Sequence, residues 1–382
     1  MLAVPVGAMM ARRAIVVVVP LGVSLLVLAA VLDRGHRPLG LGLRRLSLSP
    51  GGLAGGLILF WCGLSLVWTP FAEQASERLL NIVGTVAVAI AGYLALPDRT
   101  RSANLYILPV GTAAAAVVAI LIALFDAAGS SLAEQEGQSL ERGLTVLVLL
   151  MWPALAWLRS RERDLEALVL AVMVALSVVL GPQPMPLVAL VVGAAVFAIT
   201  AASPSLGIMA VGVIMASIVA LAPLIPFVLR PVAAMIFGPS DPFVVSLDSW
   251  QNVVVSDPVR LITGHGFETA LRGRLVGLLP QSAPSTLPFE IWYELGIVGA
   301  AAAAVALYSA ARTAGHDHPP LVPGVMAAFG SAFTFACLGI GTAQMWWLTA
   351  LAATVLIFVA AERGQFRTKR PKALLRRTAR EI

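Results

Sequence analysis

Along most of its length the chain alternates long apolar runs with short polar connections, and the runs have the length of a bilayer crossing. Nearly uninterrupted apolar stretches fall at about 14–32, 52–68, 79–96, 104–126, 143–158, 165–181, 184–201, 207–236, 289–309, 322–340 and 344–361. A hydrocarbon core needs roughly 17 to 25 such residues per helix, and inside it every backbone polar group must be satisfied within the helix. The pattern predicts an all-α polytopic membrane protein with about eleven (ten to twelve) transmembrane helices, forming one integral membrane domain over 1–382 with a basic tail at 363–382. One connection breaks the rhythm. Residues 237–288 form the only long polar-containing segment, and loops of that length are usually functional. Within it VVSLDSWQNVVV reads as a short interfacial helix with Trp250 at headgroup depth, and Asp257-Pro258 marks a turn.

Composition narrows the class. Of 382 residues 59% are hydrophobic and 12% charged, which excludes soluble globular and disordered chains. The first apolar run lacks a small-residue cleavage site followed by a polar mature domain, so it reads as retained. Cys62 and Cys337 lie in separate apolar runs, so neither a disulfide nor a metal-ligand spacing is expected, and no cofactor is implied. The net charge of +6 arises largely from short connections and the tail, where topology and anionic lipid headgroups explain it better than nucleic acid does.

Charge then sets orientation. The tail cations Arg363, Arg367, Lys369, Arg370, Lys372, Arg376, Arg377 and Arg380 place that end in the cytoplasm. Counting back puts Arg34, Arg37, Arg44 and Arg45, then Arg99 and Arg101, then Arg159, Arg161 and Arg163, and Arg312 on the same side, which is 18 of the 26 Lys and Arg. Arg12 and Arg13 before the first run fit this threading poorly, unless residues 1–10 add a short span. Arg78, Arg142, Arg260, Arg272 and Arg274 remain on the outer face, where cations are normally scarce, and lone cations there point to an anionic ligand.

Individual residues sharpen that expectation. Arg142 opens the fifth span in LERGLTVLVLLMWP, where a guanidinium can grip two phosphate oxygens; snorkelling is the plainer alternative. Arg78, in SERLLNIV, is as well explained by pairing with Glu73 or Glu77. Arg230 sits between prolines in the outer part of an overlong span, and broken backbone at membrane depth usually lines a cavity. Arg260, Arg272 and Arg274 surround GHGFE, whose Gly264 and Gly266 permit a tight turn with N–H groups exposed to an anion. His265 is the only histidine on the outer side and a candidate general base; His316, His318 and His36 fall in inner connections. Glu290 and Glu294, at i and i+4 near the start of the ninth span, share a helix face at the expected mouth of an outward cavity, although acids also favour a helix start through its dipole.

Taken together, WCGLSLVWTPFAEQA, LERGLTVLVLLMWP, SDPVRLITGHGF, PFEIWYELGIVGA and AQMWWL resemble, in order and spacing over most of the chain, elements of the O-antigen ligase and polysaccharide polymerase family of bacterial membrane glycosyltransferases. The resemblance implies an all-helical GT-C-type fold in the inner membrane, with the 237–288 loop periplasmic. It further implies metal-independent transfer of a glycan from a polyprenyl-pyrophosphate carrier to a lipid A core or saccharide acceptor, in which Arg142 matches the family's helix-start arginine. Membrane lipids are the other expected partners. Two positions depart from the pattern. Ala283 or Ser285 stands where family members usually carry histidine, and Ser246 where they commonly carry arginine. The base role then passes to His265 or an acid such as Glu294. The alternative is a non-catalytic envelope-assembly protein on the same scaffold. A lipid or solute transporter fits less well, because the spans hold few ionisable residues along a continuous path.

Overall fold

A computed structural model describes residues 3–11, 13–32, 42–44, 47–97, 102–127, 133–315, 319–340 and 344–364. Arg12, Arg34, His36, Arg37, Arg45, Arg99, Arg101, His316, His318 and the tail from residue 365 lie outside the described residues. The helices are α1 (Ala3–Met10), α2 (Ala14–Leu32), α3 (Pro50–Ser65), α4 (Ala72–Ala95), α5 (Ile107–Ala127), α6 (Ala133–Ser160), α7 (Asp164–Val179), α8 (Met185–Ala202), α9 (Pro204–Ala220), α10 (Ile225–Phe237), α11 (Pro242–Ser256), α12 (Arg260–Thr263), α13 (Thr269–Leu275), α14 (Leu287–Ala314), α15 (Val322–Leu338) and α16 (Met345–Arg363). Each of the eleven apolar runs falls on one of these helices or, for 207–236, on the α9–α10 pair. Local signals set several starts. Ser49 caps α3 by accepting from Gly52 N at 3.0 Å, Asp241 caps α11 by accepting from Phe243 N at 2.9 Å, and a proline occupies the first turn of both helices.

Among the described residues seven helices are long and apolar enough to cross a membrane: α2, α4, α5, α6, α8, α14 and α16. The α9–α10 pair qualifies as one broken span, bent by 66° around Ala222–Leu224, and α3 and α15 are shorter apolar helices. This is a multi-pass helical membrane protein.

Helix α6 is the hub. Its window Leu140–Ser160 is 89% buried, enclosed by α1, α5, α7, α15 and α16. Trp152 within it donates to Ser331 Oγ at 2.9 Å, and Ser331 donates onward to Ala189 O at 2.8 Å, so one polar chain ties α6, α15 and α8 together. Such a chain is favourable in an apolar interior only because each donor finds an acceptor.

Contacts at the helix ends give the bundle two distinct poles. Arg363 donates to Leu96 O at 2.6 Å, and Arg161 donates to Gly364 O at 2.7 Å, so α4, α6 and α16 all finish at one end. Arg163, at the start of α7, joins Tyr106 and Glu166 there. At the other end Arg142 lies over the Trp346 ring at 5.3 Å, bringing the beginnings of α6 and α16 together. Residues 257–275 pack at that second end, against Arg78 near the start of α4.

Candidate functional site

The candidate site is built where the 257–275 segment crosses a break in α14. At Gly296 the backbone turns to φ 63°, ψ −158°, so the carbonyls just before it lose their partners in the next turn. Three donors from outside the helix replace them. His265 N donates to Tyr293 O at 2.8 Å, Gly266 N to Glu294 O at 3.0 Å, and Trp61 Nε1 to Leu295 O at 2.9 Å. The crossing requires glycine on both partners: a Cβ on Gly296 would lie 2.5 Å from Ile262 O, and one on Gly264 (φ 74°) would run into Glu294 O. Beyond the crossing, Phe267 N donates to Ser65 Oγ at 3.1 Å and Thr69 Oγ1 donates to Phe267 O at 2.9 Å, fastening the loop to the end of α3.

These bonds change the reading of GHGFE. The N–H groups of His265, Gly266 and Phe267 are consumed by Tyr293, Glu294 and Ser65, so the loop is a clasp on α14 and not an anion cradle.

The arginines around it are paired as well. Arg78, 8% exposed, forms a buried ion pair with Glu268 and sits 4.9 Å over the Phe267 ring. Arg272 Nε lies 3.5 Å from Glu268 Oε1. Arg274 Nη2 lies 3.6 Å from Glu290 Oε1, and its guanidinium also donates to Ala270 O at 3.1 Å and Ala283 O at 3.3 Å. Arg230 pairs with Asp248 at 2.7 Å on the α10–α11 hairpin. Arg260 Nε is 4.0 Å from Asp257 Oδ2, with both side chains about half exposed. The sequence expects lone outward cations at Arg78, Arg142, Arg260, Arg272 and Arg274; the fold sets a carboxylate beside four of them, Arg78, Arg260, Arg272 and Arg274, and beside Arg230 as well.

Glu294 is likewise not at a cavity mouth. It is 3% exposed, and its Oε1 accepts from Ala270 N at 3.1 Å, so it anchors the start of α13 to α14. Glu268, which the sequence reading passes over, is the junction of the network, held at a left-handed φ of 72° with its carboxylate between Arg78 and Arg272. A glutamate in a polar loop carries no local mark of such a role.

His265 stands apart from the clasp's ion pairs. Its ring stacks on Tyr293 at 4.1 Å between centroids, and Nδ1 lies 3.1 Å from Tyr293 O. A carbonyl oxygen only accepts, so Nδ1 carries the hydrogen and, in the neutral ring, Nε2 carries the free lone pair. Nε2 faces Asp257 Oδ2 at 4.0 Å. Burial lowers the imidazole's pKa from its ordinary 6.5; the Tyr293 carbonyl and Asp257 oppose that shift, and Arg260 adds to it. The neutral ring therefore dominates near pH 7. A cleft of about 20 Å³ opens beside it, lined by Asp257, Arg260 and His265 together with Trp250, Trp292 and Tyr293. Trp292 is held by donation to Val219 O at 2.7 Å, beside the bend between α9 and α10.

Arg142 lies on another flank, where it covers Trp346 at the start of α16 and Gly143 packs against Met9 of α1. Among the described residues no three His, Cys, Asp or Glu side chains gather as a metal-holding group. Comparison of the chain with protein-family models, curated proteins and solved structures finds no match.

Proposed function

We propose that this chain is an O-antigen ligase-like membrane protein that transfers a glycan from a polyprenyl-pyrophosphate carrier to a hydroxyl of a lipid A core or saccharide acceptor, with His265 as general base. The observation that carries the reading is the forced tautomer of His265: its basic nitrogen points into a cleft shared with Asp257 and Arg260, at the pole opposite Arg159, Arg161 and Arg363. We read that pole as periplasmic, from threading the eleven apolar runs of the sequence by the positive-inside rule.

In this reaction the acceptor hydroxyl gives its proton to His265 Nε2 while its oxygen attacks the anomeric carbon. The bond from that carbon to the diphosphate breaks, and the diphosphate leaves with the electron pair. Asp257 favours the imidazolium that forms, and Arg260 faces the charge that grows on the leaving group. The cleft admits little more than one hydroxyl, so the sugar rings lie over its half-exposed rim. Glu294, Arg78, Arg272 and Arg274 act as positioning residues that hold the clasp under His265.

A non-catalytic envelope-assembly role on the same scaffold is the second reading. The pairing of each loop arginine with a carboxylate favours it, as does Ala283 or Ser285 at the place where the family usually carries histidine. Purified protein in liposomes, given a polyprenyl-pyrophosphate-linked glycan and a lipid acceptor, separates the two. Transfer by the wild type that is lost in His265→Gln supports the enzyme, binding of the donor without transfer supports the scaffold, and neither binding nor transfer rejects both.

A further inference from the structure

The His265 imidazole ends a series of four aromatic rings that begins in the protein interior. Trp250 of α11 meets Phe289 edge-on at 5.6 Å between centroids, Phe289 lies nearly parallel to Tyr293 at 5.4 Å, and Tyr293 lies nearly parallel to His265 at 4.1 Å. Phe289 and Tyr293 are one turn apart on α14 and so share a face. Trp250 and Phe289 are 5% and 1% exposed, so close packing fixes the inner rings and the outer two inherit that support.

We infer that Tyr293 is the positioning residue of this site: its carbonyl sets the tautomer of His265, and its ring sets the plane of the imidazole. The inference rests on His265 being the base of the reaction proposed above. The Tyr293 carbonyl is free for this task because α14 breaks at Gly296, and it accepts from His265 N at 2.8 Å and from Nδ1 at 3.1 Å. A carbonyl oxygen has two lone pairs, so both bonds form at once. The bond to Nδ1 alone leaves the imidazole free to tilt about it. A parallel ring at 4.1 Å removes that freedom and keeps Nε2 directed at the cleft beside Asp257.

The same ring tells the two protonation states apart. An aromatic face is negative and attracts a cation within about 6 Å of its centroid. Tyr293 therefore holds the imidazolium that forms when His265 takes a proton more strongly than the neutral ring that precedes it. A contact that strengthens along a reaction raises its rate, whereas one that is equal before and after does not. The charged groups that face the imidazole are Asp257 and Arg260, both from the clasp segment. The α11 helix and the α9–α10 bend bring Pro223, Trp250, Val253 and Val254 to the cleft, none of them charged, and α14 adds Tyr293 itself.

The test follows the full chain, carrying isotope-labelled histidine, in detergent micelles by nuclear magnetic resonance across pH, with His265→Gln identifying the resonance. Tyr293→Leu keeps the carbonyl and removes the ring, and the midpoint of the His265 titration is expected to fall by roughly half a pH unit with Nδ1 still carrying its hydrogen. Tyr293→Phe restores the ring and is expected to titrate as wild type does. A ring-fluorinated phenylalanine at position 293 keeps the shape while weakening the negative face; it is expected to lower the midpoint, and it decides the matter if Tyr293→Leu does not fold. A midpoint unchanged by fluorination overturns the inference. So does a midpoint that stays or rises in Tyr293→Leu, a rise being what water entering beside the imidazolium gives. In the transfer assay Tyr293→Leu is expected to approach the rate of His265→Gln and Tyr293→Phe to keep the wild-type rate; a wild-type rate in Tyr293→Leu overturns the positioning role. Absence of transfer by wild type removes the reaction itself, whereas the titration reports the ring contact alone, so the two failures are told apart.

Discussion

Arg78 and Glu268, 190 residues apart in sequence, meet in a buried ion pair that joins the first turns of α4 to the loop crossing α14. Both side chains are below a tenth exposed, so each charge depends on the other for its stability in a site with little water. Arg78→Ala leaves Glu268 buried with only the more distant Arg272, and should lower stability by about 3 to 5 kcal/mol. Replacing both with methionine should recover part of that loss, because the buried Glu268 carboxylate leaves together with its partner, while Arg272 loses the same carboxylate. A double-mutant cycle of unfolding in detergent micelles measures the coupling; additive effects would show that the pair does not act as a unit.

Arg230 provides the contrast. Its pair with Asp248 is about half exposed, so Arg230→Ala should change stability by about 1 kcal/mol or less in the same measurement, with any effect shrinking as salt is added. A loss comparable to that of Arg78→Ala would mean that the α10–α11 hairpin is fastened far more tightly than its exposure implies.

The glycine crossing makes a sharper demand. Gly296→Ala introduces a Cβ at a positive φ and 2.5 Å from Ile262 O, and separating the strands breaks the bonds from His265 N and Gly266 N. The loop around Arg260 should become a site of proteolytic cleavage under conditions where wild type resists. Gly277→Ala, which also has a positive φ but open space around it, should leave the crossing intact and cost only its local strain. Equal protection of Gly296→Ala and wild type would refute the crossing.

The fold was far more legible in the sequence than the site. Apolar length alone located the helices, because a bilayer imposes the same requirement on every span. The α11 helix around Trp250 and the turn at Asp257-Pro258 were also readable, although Trp250 is buried against Phe289 and does not lie at an exposed interface. The break in α14 was hidden, because WYELGIVGA has the apolar periodicity of an unbroken helix and a single glycine is ordinarily tolerated there. The carboxylate partners were hidden for another reason. Glu268 reaches Arg78 and Glu294 reaches Ala270 N only after the loop folds back across α14, and sequence spacing is silent about such long-range pairing. Hence arginines that look solitary along the chain turn out to be neutralised in space.

Which pole faces outward is testable by side-specific labelling. In a Cys62→Ala, Cys337→Ala background, Val259→Cys lies on the exposed rim of the loop and Thr313→Cys at the opposite pole, beside Arg312. A membrane-impermeant maleimide applied to intact cells with a permeabilised outer membrane should label position 259 and spare 313. The reverse pattern would place His265 in the cytoplasm and remove the periplasmic reaction.

The pH profile of glycan transfer by the reconstituted protein tests the general-base role of His265 most directly. Because burial holds its folded pKa below the ordinary 6.5, the unfolded chain takes up the proton first as pH falls. Its contribution to stability is complete above pH 6.5 and is lost as pH drops through 6.5 toward the folded pKa. Transfer should fall as pH drops and Nε2 becomes protonated, with the midpoint of that acid limb below pH 6.5. His265→Gln should be slower by roughly 10² to 10⁴-fold at pH 7 and should lack that acid limb. A wild type without transfer, or a His265→Gln variant with the wild-type rate and profile, would contradict the role assigned to this histidine.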